Sequence, residues 1–244
     1  METTALHILL LFLLSIGAAF IQRVSGFGFG IFIMTVLPYL MPSYGEATTL
    51  SGMLAMMMSF FIFLRHYRHL RWHKLWAMLC IFLITSFFAI HFVSAAGDGI
   101  LKICLGVILI FASIWFLFLA HHIHIRPNLP TQVGLGTLSG IMGGLFGMQG
   151  PPAVLYFVET TETKEEYLVT AQTYFFIGNL CMTGYRAYYG FLTDTVLQSW
   201  CYGLLGVAIG TWLGAIAFRH LSLSILRKVI YIYMAISGLI CLCS

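Results

Sequence analysis

The sequence contains very little charge. Only 8% of its 244 residues are Asp, Glu, Lys or Arg, whereas a globular domain carries about 25%. Because 60% of the residues are hydrophobic and the mean hydropathy is +0.95, we predict an all-α, polytopic integral membrane protein. Its surroundings are then the lipid bilayer, and the net charge of +4 does not indicate nucleic-acid binding, because the basic residues lie in predicted membrane loops.

The sequence also lacks the motifs of common enzymes and metal sites. It has no His-Glu-x-x-His, no Gly-x-Ser-x-Gly, no Gly-x-x-x-x-Gly-Lys and no Cys-x-x-Cys. The six cysteines are scattered through apolar segments, where a cysteine behaves as a small hydrophobic residue. We therefore expect no catalytic residue, no cofactor and no metal, and a function other than that of an enzyme.

Two glycine-rich segments interrupt the apolar runs, Ser25–Gly30 (SGFGFG) and Gly143–Pro152 (GGLFGMQGPP). Irregular backbone at membrane depth is tolerated only where protein covers it or where it lines a cavity. Breaks in corresponding positions of two halves indicate the binding site of a transporter. The alternative interpretation is tight helix packing at small residues.

The order of apolar segments predicts two membrane repeats, residues 1–125 and 126–244. Each would contain a glycine-broken or re-entrant helix pair followed by three transmembrane helices. The short segments Ile31–Met41 and Pro151–Val158 reach only about halfway across a ~30 Å hydrocarbon core. An odd number of crossings in each half predicts inverted repeats, with the substrate at the interface between them.

The densest basic cluster, Arg65–Lys74, predicts the cytoplasmic side. Counting crossings from it leaves only Lys102 and Arg186 outside among the twelve basic residues. Glu46, Asp98 and Asp194 also fall outside. The acidic run from Glu159 to Glu166 is expected to be a solvated loop.

A helix that restarts after a glycine break presents free N–H groups and the positive end of its dipole, which favours an anion. Arg23 is the preferred counter-charge. For Arg186, a place in the cavity and snorkelling at a helix end are equally compatible with the sequence. Gln172 and Asn179 lie seven residues apart, hence on one helical face. The candidate substrate-binding residues are Arg23, Ser25, Gly26, Gly28, Gly30, Thr49, Gly147, Gln149, Gly150, Gln172 and Asn179.

Histidines form two groups, His66, His69 and His73, and His121, His122 and His124. The spacing of the first group would place it on one helical face. No carboxylate or cysteine accompanies either group, and the surrounding basic residues would repel a cation. Loop anchoring is therefore preferred, while a divalent-metal permease and a non-transporting membrane scaffold remain as alternatives.

The glycine motifs and the residues after them resemble the sulfite exporter TauE/SafE family over nearly the whole chain. The matching residues are Gly17, Ser25–Gly30, Pro38 and Glu46–Thr49 in the first half, and Gly136, Gly140–Pro152, Thr170–Thr173 and Asn179 in the second. The resemblance implies a bacterial inner-membrane permease that moves sulfite, organosulfonates or related small anions outward. Family members often have three or four consecutive glycines at each break, whereas here Phe27 and Phe29 alternate with glycine and Met148-Gln149 interrupts the second run.

These observations predict a secondary transporter of a small anion, related to sulfite, a sulfonate or a carboxylate, that works by alternating access. The absence of a nucleotide-binding motif indicates that an ion gradient or the membrane potential would drive it. The sequence leaves open whether copies of the chain form a homo-oligomer.

Overall fold

The computed structural model describes residues 5–114, 128–217 and 239, and all regular structure in these ranges is helical. Two short 3-10 turns, Tyr67–His69 and Trp72–Lys74, connect the fourth and fifth helices. The helices are α1 Ala5–Ser25, α2 Phe29–Ile33, α3 Leu37–Leu40, α4 Tyr44–His66, α5 Trp76–Ala95, α6 Asp98–Ile114, α7 Leu129–Phe146, α8 Gly150–Thr160, α9 Lys164–Tyr188 and α10 Asp194–Ala217.

The starts of α4 and α9 are set by the same local sequence. The Ser43 hydroxyl accepts a hydrogen bond from the Glu46 amide at 3.2 Å, and the Thr163 hydroxyl accepts one from the Glu166 amide at 3.1 Å. Both are Ser/Thr-x-x-Glu sequences, which satisfy an amide that the helix itself leaves unpaired. The two long helices thus begin with the same type of capping sequence.

Four of the described helices, α1, α4, α5 and α10, are long and apolar enough to cross a membrane. Their outward side chains include many exposed large apolar residues, such as Leu13, Phe61, Phe88 and Leu205. In water such a surface would be unfavourable, but lipid covers it without cost. The chain is therefore a multi-pass membrane protein.

The polar residues of α9 lie inside the protein. Helix α9 is 25 residues long and packs against α4, α5 and α8, so its polar face does not meet lipid. Its buried polar residues, all at most 3% exposed, are Glu166, Thr170, Gln172, Thr173, Asn179 and Arg186.

Two helix pairs pack closely through glycines spaced by four residues. Helix α10 lies against α1, and α7 lies against α5. A Cβ at Gly206 would lie 2.6 Å from the Phe12 carbonyl oxygen, and one at Gly136 would lie 3.1 Å from the Met78 oxygen. Successive glycines along each helix contact successively later residues of the partner helix, so the two helices of each pair run parallel. The glycines concerned are Gly206, Gly210 and Gly214 in α10 and Gly136, Gly140 and Gly144 in α7.

Polar contacts at the two ends of the molecule define a basic end and an acidic end. At the basic end Lys74 Nζ lies 2.8 Å from Glu166 Oε1 and donates to the Thr160 carbonyl at 2.8 Å. At the acidic end Asp98 accepts from the Tyr44 amide at 3.1 Å, and Glu46 accepts from the hydroxyl of Thr193, next to the start of α10.

The chain forms two helical hairpins that enter from opposite ends. Hairpin one consists of α1–α3, begins parallel to α10 at the acidic end and returns there at Tyr44. Hairpin two consists of α7 and α8, begins parallel to α5 at the basic end and returns there at Thr160, as the bond from Gln132 Nε2 to the Tyr156 hydroxyl (2.6 Å) reflects.

Two expectations on this part of the chain need correction. The predicted short segment Ile31–Met41 is two helices, α2 and α3, separated by a turn at 34–36. The acidic run is not a solvated loop, because Glu159 lies in α8 and Glu166 is buried in the first turn of α9, paired with Lys74. The expected boundary between repeats at residues 125 and 126 lies outside the described residues.

Candidate functional site

Break one, Ser25–Gly30, separates α1 from α2. Gly26 and Gly28 have φ angles of 85° and 104°, in the left-handed region where other residues are strained. The Ser25 hydroxyl donates to the Ile21 carbonyl at 2.7 Å and also to that of Phe27. These contacts reverse the chain within three residues, so that α2 runs back along α1.

Break two, Gly147–Gly150, separates α7 from α8. Gly147 has a φ of 67°, and its amide and that of Met148 donate back to the Gly143 and Met142 carbonyls of α7. A left-handed glycine is a common helix terminus. Helix α8 begins at Gly150 and has prolines in its first turn, where a missing N–H leaves no helical bond unmade.

The two breaks meet. A Cβ at Gly30 would clash with the carbonyl oxygen of Gly147, and one at Gly150 would lie 3.1 Å from Phe27 Cβ. The backbones therefore touch, and only glycine at position 30 permits this approach.

A cavity of about 20 Å³, measured as the volume open to the centre of a water molecule, lies at this junction. Such a volume holds one water and is too small for an oxyanion. The cavity is lined by Gln22, Phe27–Ile31, Ala55, Gly147–Pro151, Phe175 and Asn179.

Break two is held by side chains. Ser139 Oγ donates to the Gln149 carbonyl at 2.7 Å and accepts from the Tyr174 hydroxyl at 2.9 Å. Gln149 Nε2 donates to Asn179 Oδ1 at 2.9 Å. This single bond leaves Gln149 Oε1 and Asn179 Nδ2 buried without partners, so the cavity has one unused acceptor and one unused donor.

Break one also contacts α9. Gln172 Nε2 lies 3.4 Å from the Gly26 carbonyl, a long hydrogen bond. Ser59 of α4 donates to Gln172 Oε1 at 2.8 Å. Gln172 and Asn179, predicted to share one face of a helix, thus contact break one and break two, respectively.

Not every predicted site residue reaches the cavity. Gly28, Gly30, Gly147, Gln149, Gly150 and Asn179 line it. Gly26 and Gln172 contact each other beside it. Ser25 bonds to neighbouring carbonyls, and Thr49 bonds to the Gly45 carbonyl within α4 at 2.7 Å. Arg23 lies outside the cavity lining, with its side-chain stem against Gly214.

Arg186 does not snorkel. It is only 1% exposed, and its guanidinium donates to the carbonyls of Thr48 (3.0 Å), Gly143 (2.9 Å) and Gly144 (3.2 Å). Arg186 was absent from the predicted site residues. The signal that identifies it is the spacing of seven that relates Gln172 to Asn179, because one further step along the same face leads to Arg186.

The histidine hypothesis loses its geometric basis. Helix α4 ends at His66, and His69 and His73 fall in separate 3-10 turns, so the three residues do not share one helical face. Within the described ranges no group of three His, Cys, Asp or Glu side chains is arranged to hold a metal ion. His121, His122 and His124 lie outside those ranges.

Comparison with known proteins adds one match. The family model described as sulfite exporter TauE/SafE matches residues 11–240. No curated protein and no solved structure matches the chain.

Proposed function

The chain belongs to the sulfite exporter TauE/SafE family, a family of membrane transporters of sulfite and related sulfur compounds, and we propose that it carries a small oxyanion through the junction of the two breaks. Sulfite, an organosulfonate or a small carboxylate fits this proposal. The observation that carries it is the contact of the two glycine breaks at one buried cavity. Irregular backbone from two hairpins that enter from opposite ends is typical of transporter binding sites.

The two halves, residues 1–125 and 126–244, form inverted repeats in this proposal. The packing supports this arrangement. If the two halves exchange places, α1 corresponds to α7 and α10 corresponds to α5. The pair α1 and α10 and the pair α7 and α5 both run parallel, as this correspondence requires. Helices α4 and α9 correspond to each other and run antiparallel, because Arg186 near the end of α9 bonds to Thr48 near the start of α4, and Gln172 bonds to Ser59.

The small size of the cavity supports a mechanism of alternating access. At about 20 Å³ it admits water but not an oxyanion, so the hairpins must separate for the substrate to enter. Ion pairs of Lys74 with Glu166 tie the basic end, and the contacts of Asp98 with Tyr44 and of Glu46 with Thr193 tie the acidic end. Opening would release one set of contacts while keeping the other.

The basic end would face the cytoplasm of a bacterial inner membrane, following the distribution of Lys and Arg. Export of an anion is then favoured by the negative interior, by about 2.3 kcal/mol per charge for each 100 mV. The exported substrate needs no cofactor on this scheme.

Transport by valine variants at the breaks tests the proposal. Purified protein in vesicles loaded with sulfite should release sulfite, and Gly28→Val or Gly150→Val should insert normally yet lose at least about tenfold in rate. The matched control is Gly184→Val in α9, where a Cβ meets no atom within 4 Å. Wild-type rates in Gly150→Val would contradict a site at the breaks.

Thermal unfolding against a panel of ligands provides the second readout, since a ligand that binds only the folded state raises stability by mass action. Sulfite, a sulfonate or a small carboxylate should raise the Tm of the wild type but not that of Gly150→Val. Stabilisation by nickel, cobalt or zinc alone would contradict the proposal and favour a metal permease.

A further inference from the structure

Two side-chain amides at the cavity, those of Gln149 and Asn179, form an incomplete pair. Both residues line the cavity, and the bond from Gln149 Nε2 to Asn179 Oδ1 joins them at 2.9 Å. Gln149 Oε1 and Asn179 Nδ2 are buried without partners, although polar groups this deeply buried are nearly always bonded. The amide pair therefore keeps one unused acceptor and one unused donor.

The number of unused groups does not depend on how the two amides are oriented. Exchanging the oxygen and the nitrogen of both side chains reverses the bond and leaves an acceptor on Asn179 and a donor on Gln149. A buried acceptor is satisfied only by a molecule that donates a hydrogen bond, and a buried donor only by one that accepts. An occupant that satisfies both therefore has a donor group and an acceptor group of its own.

The cavity lining is polar but carries no full charge. None of the described residues that line it is charged, and its remaining polar side chain is a third carboxamide, Gln22 of α1, which is 5% exposed. The cost of moving an ion out of water grows with the square of its charge, because the hydration shell is lost. A site built of neutral amides therefore favours a monoanion over a dianion.

A substrate takes up these groups in competition with water. A water molecule, for which the closed cavity has the volume, both donates and accepts, and so satisfies the same two groups. A ligand that displaces it keeps both bonds only if it offers the same two functions. An oxyanion that carries a proton does so, whereas one without a proton leaves the buried acceptor unpaired.

We propose that the amide pair selects the proton-bearing monoanion of the substrate, hydrogensulfite (HO–SO₂⁻) and not the sulfite dianion, so that the anion crosses the membrane together with its proton. The inference rests on the proposed function and deepens it by naming the ionic form that is carried. The hydroxyl of hydrogensulfite donates to the unused acceptor, and one of its oxygens accepts from the unused donor. Each molecule then moves a single negative charge through the membrane potential.

Two ligands of nearly equal shape and equal charge test the need for a donor. Hydrogensulfite and methanesulfinate (CH₃–SO₂⁻) differ only by a hydroxyl against a methyl group. The readout is the concentration that gives half of the maximal rise in Tm of the purified full chain. Because methanesulfinate leaves the acceptor unpaired, we expect the wild type to need at least about tenfold more of it than of hydrogensulfite.

The pH dependence of the same readout separates the two ionic forms of sulfite. Hydrogensulfite loses its proton as the pH rises, so the total sulfite concentration that stabilises the wild type should rise with pH. Methanesulfinate keeps one charge and has no proton to lose around neutral pH, so its value should stay constant. The methanesulfinate series therefore controls for titration of the protein itself.

A double variant locates the preference. Gln149→Met combined with Asn179→Leu removes both amides at similar volume and leaves neither with an unpaired partner, so it should fold. A single substitution is not sufficient, since either amide alone still has an acceptor and a donor. We expect the double variant to bind the two ligands equally. The matched control is Gln132→Met, the same change at the base of hairpin two and outside the cavity lining, which should keep the preference.

Three results would overturn the selection of hydrogensulfite while leaving transport at the breaks intact. They are equal binding of the two ligands by the wild type, tighter binding of total sulfite as the pH rises, and a preference that persists in the double variant. If the double variant does not fold, the first two measurements decide. If no anion stabilises the wild type and vesicles release no sulfite, the proposed function fails, and this inference fails with it.

Discussion

Both breaks reverse the chain between two helices, but they do so by different means. Break one reverses the chain through two left-handed glycines, Gly26 and Gly28, and Gln172 of α9 donates a long hydrogen bond to it. Break two uses a single left-handed glycine, Gly147, and three side-chain hydrogen bonds around Gln149. The conformation of break one depends on the backbone freedom of glycine, and that of break two depends on a network of polar side chains.

The two breaks also differ in the position of the arginine nearest to each. Arg186 donates hydrogen bonds to the Gly143 and Gly144 carbonyls at the end of α7, next to break two. The nearest arginine to break one, Arg23, has its stem against α10 and lies outside the cavity lining. The comparison teaches that paired motifs in two halves need not be chemically equivalent. Here the polar face of α9 bonds to Gln149 of break two and to the carbonyl end of α7.

The largest expected effect comes from the point where the breaks touch. In Gly30→Ala the new Cβ would clash with the carbonyl oxygen of Gly147, so the two hairpins must move apart. Overpacking of this kind costs about 3 kcal/mol in the free energy of unfolding, which lowers the Tm of a chain this long by roughly 10 °C. Thermal unfolding of the purified variant measures it.

The matched control at the other break is Gly150→Ala. Its Cβ would lie 3.1 Å from Phe27 Cβ, so a shift of a few tenths of an ångström accommodates it. We expect a loss below about 1 kcal/mol, because alanine also favours the helix. Equal losses in the two variants would show that the backbone contact is not the tightest point of the junction.

A smaller difference in unfolding free energy is expected between variants that remove a hydrogen bond near break two and near break one. Ser139→Ala leaves both the Gln149 carbonyl and the Tyr174 hydroxyl without their partner, whereas Ser59→Ala leaves only Gln172 Oε1. Each buried group left unpaired costs about 1–3 kcal/mol. The loss of unfolding free energy in Ser139→Ala should therefore be about twice that in Ser59→Ala. A larger loss in Ser59→Ala would reverse our ranking of the two breaks.

The smallest effect concerns the base of hairpin two, which Glu166 anchors. Burial raises its pKa, but hydrogen bonds from Lys74 and the Glu162 amide, together with the charges of Lys74 and Arg71, outweigh burial and leave the pKa of Glu166 below its ordinary value. A carboxyl with a lowered folded-state pKa stabilises fully above its unfolded pKa, and the contribution is lost as the pH falls through the folded pKa.

We therefore expect Glu166→Gln to lower the Tm at pH 7, with the difference from the wild type shrinking as the pH falls below about 4. The magnitude at pH 7 is about 1 kcal/mol. Glu162→Gln, whose side chain is 66% exposed, should change little. A difference that stays constant with pH would mean that Glu166 acts through packing and not through charge.

Much of the fold follows from local sequence patterns. Apolar runs predict the helices, the glycine segments predict both breaks, and the spacing of Gln172 and Asn179 predicts one polar face on α9. Six of the eleven predicted site residues line the cavity. Ser25 and Thr49 do not, because short hydroxyl side chains bond readily to a carbonyl three or four residues earlier in a helix, and a single sequence does not reveal that choice.

The residues that sequence patterns assign least well are those whose partners lie far along the chain. Glu166 was predicted to be solvated because the acidic run around it is polar, but Lys74, which buries it, lies more than 90 positions earlier. Arg186 bonds to carbonyls 42, 43 and 138 positions away. Burial of a charged group depends on such partners and not on its neighbours in sequence.

The sequence by itself determined that this chain crosses membranes, that two glycine breaks interrupt it and that it belongs to an exporter family, because hydropathy, glycine content and motif order are local properties. Only the tertiary structure decided that the breaks touch, that hairpin one and hairpin two enter from opposite ends, and that Arg186 bonds to the carbonyl end of α7 while Arg23 packs against α10. These are facts of packing: they depend on which helix faces lie together, and glycine at Gly30 and Gly52 makes room for them.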